Sequence, residues 1–196
     1  MQTGAEVALT RPAAPTVADR ELMEELRAGD CRALGTLFER HHQTLYNFLF
    51  RLVRDRSAAE DLVQEVFVRI LKYSHNFRAH SDFLPWMFAV ARHAVVDRHR
   101  RRPRELPQDP DAPDPAASGP LPIEALEEAD RRKALNRALG RLTPDVREAL
   151  LLARFSGLKY AEIGEVLGIA EGTVAATLSQ ARRQLEVAVS ENEVIA

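Results

Sequence analysis

Seven of the eleven prolines in this 196-residue chain fall between Pro103 and Pro122, in the run RPRELPQDPDAPDPAASGPLP. Each one removes an amide donor and fixes φ, so the run can neither continue a helix nor sit inside a sheet. It also has few apolar groups to bury, and it therefore reads as an extended, mobile linker. The charges divide at the same place. Residues 106–130 hold seven acids and no basic residue, residues 20–105 hold 16 basic against 12 acidic, and residues 131–196 hold 10 against 8. Two mildly basic blocks on an acidic tether imply that both blocks approach something anionic and the tether does not.

Both blocks have the composition of packed helices. The chain is 45% hydrophobic but only 6% aromatic, with 9 glycines, and strings such as ADRELMEELRAGD and RRKALNRALGRL are built from residues that lose little entropy in a helix. The expectation is an all-α chain of two small helical domains. Its boundaries are a disordered tail at 1–18, a four-helix domain at 19–103, the linker at 104–122, a helix-turn-helix domain at 123–190 and a short tail at 191–196. A single cysteine, Cys31, allows neither an intramolecular disulfide nor a thiolate zinc cluster, which fits a reducing, cytoplasmic setting. No stretch approaches the roughly 18 apolar residues that span a bilayer, and the first residues lack a basic start followed by an apolar run.

In the first block, Asp19 precedes RELMEELRA and Gly29 closes that short helix. Asp30 is placed to cap a long helix reaching about Arg54, with Leu34, Leu37, Phe38, Leu45, Phe48, Leu49 and Leu52 inward. Ser57 and Glu60 have the spacing of a capping box for a third helix, in which Leu62, Val63, Val66, Phe67, Ile70 and Leu71 recur on one face. A loop, YSHNFRAHSD, leads to a fourth helix from about Asp82 to Arg102, with Pro85 in its first turn and Pro103 ending it. In the second block a helix is expected from Ile123 to Arg141, and another after Thr143 and Pro144. YAEIGEVLG then ends at Gly168 and EGTVAATLSQARRQLEVAV starts three residues later. A short helix, a glycine turn and a longer helix make a helix-turn-helix, which presents one helix to a DNA major groove.

Catalytic constellations are missing from the sequence: there is no GxxxxGK[ST], GxGxxG or GxSxG, and no nucleophile stands beside a base. His93 and Asp97 have the i, i+4 spacing of a helical metal pair, but two groups of one possible site are an ordinary polar helix face. No cofactor is expected. The strongest electrostatic feature is RHRRRPR, five arginines between Arg98 and Arg104. Cations there favour the helix C-terminus in any case. The same helix, however, places Trp86, Ala89, His93, Asp97 and Arg100 on one stripe. Planes to stack on and charges to hold phosphates are what single-stranded or melting DNA requires.

These segments resemble the extracytoplasmic-function sigma factors of bacterial RNA polymerase. The resemblance rests on AEDLVQEVFVRI (59–70), FRAHSDFLPWMFAVARHAVVDRHRRR (77–102) and the helix-turn-helix run from Leu142 to Leu185, in that order and spacing. It implies a two-domain initiation factor whose partners are core RNA polymerase, promoter DNA and an anti-sigma protein. Asp61, Gln64 and Glu65, with Phe67 nearby, would dock on the polymerase clamp. Asn76, Phe77, Arg78, Trp86, Arg92, His93, Asp97, Arg100 and Arg101 would engage the minus-10 element. Lys159 and Tyr160 would reach the backbone of the minus-35 duplex, read through Glu171, Thr173, Ser179, Arg182 and Arg183.

The chain departs from the family pattern in three places. Ala170 stands where a Ser or Thr usually caps the recognition helix, Ala175 and Ala176 stand where basic or polar groups usually follow GTV, and His93 stands where Asn is usual. A missing cap costs about 1 kcal/mol of helix stability, and a missing cation removes a phosphate contact. A weak minus-35 contribution is therefore expected. Two other readings remain open: a stand-alone regulator binding duplex DNA through residues 158–187, and a sigma-like mimic that sequesters an anti-sigma protein.

Overall fold

The computed structural model describes residues 17–78, 81–101 and 139–193. The expected tails, the linker and most of the helix expected from Ile123 lie outside them. Every regular element among the described residues is a helix: α1 (Val17–Arg27), α2 (Arg32–Val53), α3 (Arg56–Tyr73), a short 3-10 turn (Ser74–Asn76), α4 (Phe83–Arg101), α5 (Pro144–Phe155), α6 (Tyr160–Leu167) and α7 (Glu171–Glu193). Residues 139–141 are also helical.

Local chemistry explains where the helices begin and end. Gly29 takes φ +100°, a left-handed conformation that suits glycine. Asp30 then closes the start of α2, its Oδ1 accepting from the Arg32 amide at 2.9 Å. The chain leaves α2 through Arg54, itself at φ 57°, whose N–H donates to the Phe50 carbonyl. That turn extends Asp55, and Asp55 caps α3 by accepting from the Ala58 amide at 2.8 Å. The Ser57–Glu60 capping box is therefore not formed; Glu60 accepts instead from the Arg56 guanidinium. Asp19, expected ahead of α1, lies in its first turn with its side chain buried, receiving Arg40 at 2.8 Å and His41 at 2.9 Å.

The first domain buries Leu37, Leu45, Phe48 and Leu49 of α2 against Leu62, Val66 and Ile70 of α3 and Met87, Phe88 and Ala91 of α4. Phe38, expected inward, is 39% exposed. In the second domain, Leu139, Leu142 and Val146 meet Ala181 of α7. The α6–α7 turn is made by Gly168 at φ +70°, whose N–H bonds to the Gly164 carbonyl.

Both helical domains are present as expected, and they share a core. α2 packs on α5 and α4 packs on α6. One apolar cluster runs from Met23 and Phe48 to Leu151, Leu152, Ile163 and Val174. The reason lies in α4. Its first turns read FLPWMFAVA, apolar around the whole circumference, and a helix of that kind needs cover on every side. α2 and α3 cover part of it, and the second domain covers more.

Candidate functional site

The acidic face of α3 is a surface, but not a free one. Asp61 and Gln64 are exposed and Val68 is 63% exposed. The Asp61 carboxylate lies 3.7 Å from Arg98 of α4, and Glu65 is held by Arg69 four residues on. Partners for these acids thus come from α4 and from within α3. Phe67 is buried, as its place on the apolar face of α3 implies, with its ring edge-on to Phe38 at a centroid distance of 4.9 Å, so it offers no ring to a partner. The aromatic surface at this place belongs to Phe38, which also stacks on His42. Sequence periodicity put Phe38 inside because it follows Leu34 and Leu37 around the same turn.

The loop after α3 supplies a strut. Asn76 and Arg78 are exposed, whereas Phe77 between them is 1% exposed. Its ring meets Trp86 at 5.4 Å and 71°, an edge-to-face contact. Phe77 therefore supports a site from beneath and, as folded, offers no ring to a base. Trp86 is half-buried at the start of α4.

Along α4, His93, Arg100 and Arg101 are exposed. Asp97 is half-buried and accepts from Arg69 at 2.9 Å, which anchors α4 to α3. Among the described residues no group of three or more His, Cys, Asp or Glu is placed to hold a metal ion. Arg92 points elsewhere: it pairs with Glu148 of α5 at 3.2 Å, in the interface between domains. The structure thus brings Trp86, His93, Asp97 and Arg100 onto one side and takes Arg92 to another.

In the second domain, Lys159 and Tyr160 stand exposed at the start of α6, Tyr160 at 46%. The Lys159 amide is satisfied by the Glu162 side chain, which fixes the entry to the helix. Glu171, Thr173, Ser179, Arg182 and Arg183 are all exposed on α7, away from Val174 and Ala181, which face the core. The Ser179 hydroxyl donates to the Ala175 carbonyl of its own helix, leaving its oxygen able to accept.

Sequence reasoning missed Gly164. A Cβ there would stand 2.7 Å from the Ile169 carbonyl oxygen, so the turn folds directly onto this position. A glycine four residues before the turn glycine was the available signal. Glu148 was also missed. It is 9% exposed, and burial pushes its carboxyl pKa up against the opposing pull of Arg92.

The family described as Sigma-70 region 2 matches residues 37–105, and Sigma-70 region 4 matches residues 132–185. RNA polymerase sigma factor CarQ of Myxococcus xanthus is 32% identical over 174 residues, covering 88% of this chain and 98% of that one. The ECF RNA polymerase sigma factor SigX of Bacillus subtilis is 33% identical over 146 residues, covering 72% and 75%. Among solved structures, the sigma factor RpoE of Bartonella quintana, in complex with the anti-sigma factor NepR, is similar at TM-score 0.66 and 26% identity. That match covers 80% of this chain and 96% of that one. CnrH, in complex with the cytosolic domain of CnrY, shares the fold at TM-score 0.69 and 24% identity, covering 89% and 98%.

Proposed function

This chain belongs to the extracytoplasmic-function sigma factors, the initiation factors that direct RNA polymerase to promoters, and from that premise we propose how its residues divide the work. Asp61, Gln64 and Glu65 of α3, with Val68 and Phe38 beside them, dock on the polymerase clamp. Asn76, Arg78, Trp86, His93, Asp97, Arg100 and Arg101 hold the melted minus-10 strand, with Phe77 bracing Trp86 from below. Unstacking a base costs a few kcal/mol, offset by stacking and phosphate contacts. Arg92 joins them once it leaves Glu148. Lys159 and Tyr160 touch the minus-35 backbone, and Glu171, Thr173, Ser179, Arg182 and Arg183 read that duplex.

One observation carries this reading. Although the domains share a core, both groups of DNA residues remain at the solvent surface: His93, Arg100 and Arg101 on α4, and Glu171, Thr173, Arg182 and Arg183 on α7. The factor acts in the cytoplasm, has no catalysis of its own, and is held by an anti-sigma protein, as the Bartonella quintana relative is held by NepR. Among the described residues no helix is long and apolar enough to cross a membrane. Residues 104–122 connect the domains, and the acids in and after that segment keep it off DNA and suit a cationic channel.

Run-off transcription with purified core polymerase tests the proposal. Promoter-dependent product that disappears with Asp61→Lys and with Arg100→Glu is the expected outcome. DNA binding without any polymerase-dependent product would indicate a stand-alone regulator instead. Neither product nor DNA binding would indicate a mimic.

A further inference from the structure

The strand-binding helix and the helix-turn-helix domain hold each other in the structure through more than apolar packing. Arg92 of α4 reaches Glu148 of α5, Nε to Oε2, at 3.2 Å. The Arg51 guanidinium of α2 lies over the Phe155 ring at the end of α5, 4.3 Å from its centroid. Arg54, closing α2, comes so near Gly140 that a Cβ there would stand 2.9 Å from its Nη1. Three arginines of the first domain therefore grip α5 and the residues leading into it. Of these contacts, Arg92–Glu148 is an ion pair that also uses a residue of the DNA-binding helix. The Glu148 side chain is 11% exposed, that of Arg92 33%. The carboxylate is thus the sequestered member and the guanidinium the accessible one.

We propose that Arg92 and Glu148 form a latch that keeps the helix-turn-helix domain closed over α4, and that a nucleic-acid strand opens it by taking Arg92 from Glu148. The inference rests on the reading of α4 as a strand-binding helix. A guanidinium edge that donates to a carboxylate is unavailable to a phosphate oxygen, and the two acceptors have the same charge and similar geometry, so they compete directly. His93, Arg100 and Arg101 are exposed elsewhere on the helix and make the first contact without disturbing the domains. Arg92 engages only as the domains part. Removing either partner acts differently from exchanging them: a charge left in a half-buried interface without its counter-ion favours the open state, whereas an exchanged pair restores the contact.

Full-length protein labelled with a donor and an acceptor on the native Cys31 and on a cysteine replacing the exposed Gln180 gives the test by energy transfer. Arg92→Glu and Glu148→Arg, each placing like charges opposite one another, should both lower the transfer efficiency, and the double exchange should restore the native value. Native efficiency in both single variants, or a double exchange as low as the singles, overturns the latch. Circular dichroism on the same samples keeps opening distinct from unfolding, and the double exchange answers for any single variant that does not fold.

A second arm uses Glu148→Gln, which removes the counter-charge that holds Arg92 without adding a cation, and a labelled single-stranded DNA oligonucleotide. Its dissociation constant should fall about fivefold, the factor carried by one ordinary hydrogen bond of net worth about 1 kcal/mol. Lower energy transfer without any gain in strand affinity leaves the latch standing and removes the strand-binding reading of α4. A gain in affinity with native energy transfer removes the latch.

Discussion

Arg69 of α3 and Asp97 of α4 are joined at 2.9 Å, and the same guanidinium holds Glu65 one turn back on α3. The acids of α3 proposed to dock on the polymerase and the polar stripe of α4 are thereby parts of one network. Burial disfavours the Arg69 charge, but the hydrogen bonds it donates to Glu65 and Asp97 outweigh it and push its pKa up. Arg69→Met leaves two carboxylates near each other without their shared cation. It should cost about 1–2 kcal/mol in urea unfolding and reduce run-off transcription. Arg69→Lys should recover only part of the loss, since one ammonium cannot serve two carboxylates as a planar fork does.

Phe77→Ala should destabilise the first domain by about 3–5 kcal/mol, the cost of emptying a fully buried aromatic site. Trp86 is the single tryptophan of the chain, so its emission reports the change directly. A red shift with Phe77→Ala and a smaller one with Phe77→Leu are expected in native buffer.

Acid should loosen α1 first. Burial alone would raise the Asp19 carboxyl pKa, but hydrogen bonds and charge from His41 and Arg40 outweigh it and set it below the ordinary value. A carboxylate lowered in the fold contributes its stability above its unfolded pKa, about 3.9, and loses it as pH falls through the folded value. Asp19→Asn should therefore lower stability at neutral pH by about 2 kcal/mol and flatten the acid limb of the unfolding curve below about pH 4. An unchanged acid limb would show that this cluster does not set it.

The helix-turn-helix can be changed in both directions. Gly164→Ala forces a methyl group against the Ile169 carbonyl and should cost about 1–3 kcal/mol, with weaker binding to minus-35 duplex. Ala170 lies just ahead of α7, its carbonyl accepting from Thr173 and Val174 while its methyl side chain caps nothing. Ala170→Ser should stabilise the second domain by about 1 kcal/mol, read as a higher urea midpoint.

Promoter affinity should depend more on α4 than on α7. In a promoter-binding assay with holoenzyme, Trp86→Ala combined with Arg100→Ala should lose more than Glu171→Ala combined with Arg182→Ala. The reverse order would show that the alanine-rich helix still reads its element strongly.

Much of this architecture was written in local sequence. Gly29 and Gly168, Pro144 at the first position of α5, and the alternation of Leu62, Val66 and Ile70 each act within a few residues, and each lies where the pattern put it. The exposed residues of α7 were legible for the same reason: one helix face is either apolar or not. Contacts between distant segments were not. Ser57 and Glu60 had the spacing of a capping box, yet Asp55 became the cap because Arg54 turned left-handed. Phe67 and Phe77 were named for partners because the family uses those segments; the apolar face of α3 already turned Phe67 inward, whereas only packing shows that Phe77 is buried too. Arg92 and Glu148 are 56 residues apart, and no periodicity links them.

The hydrocarbon that encircles the first half of α4 has an effect on any ligand that must part the domains to reach that helix. A ligand that needs the domains apart meets only the open fraction of molecules, so its measured affinity is weaker than its intrinsic one by that fraction. Hydrocarbon association weakens on cooling, and the open fraction grows with it. Temperature therefore enters promoter engagement through the sigma factor itself, before any DNA has melted.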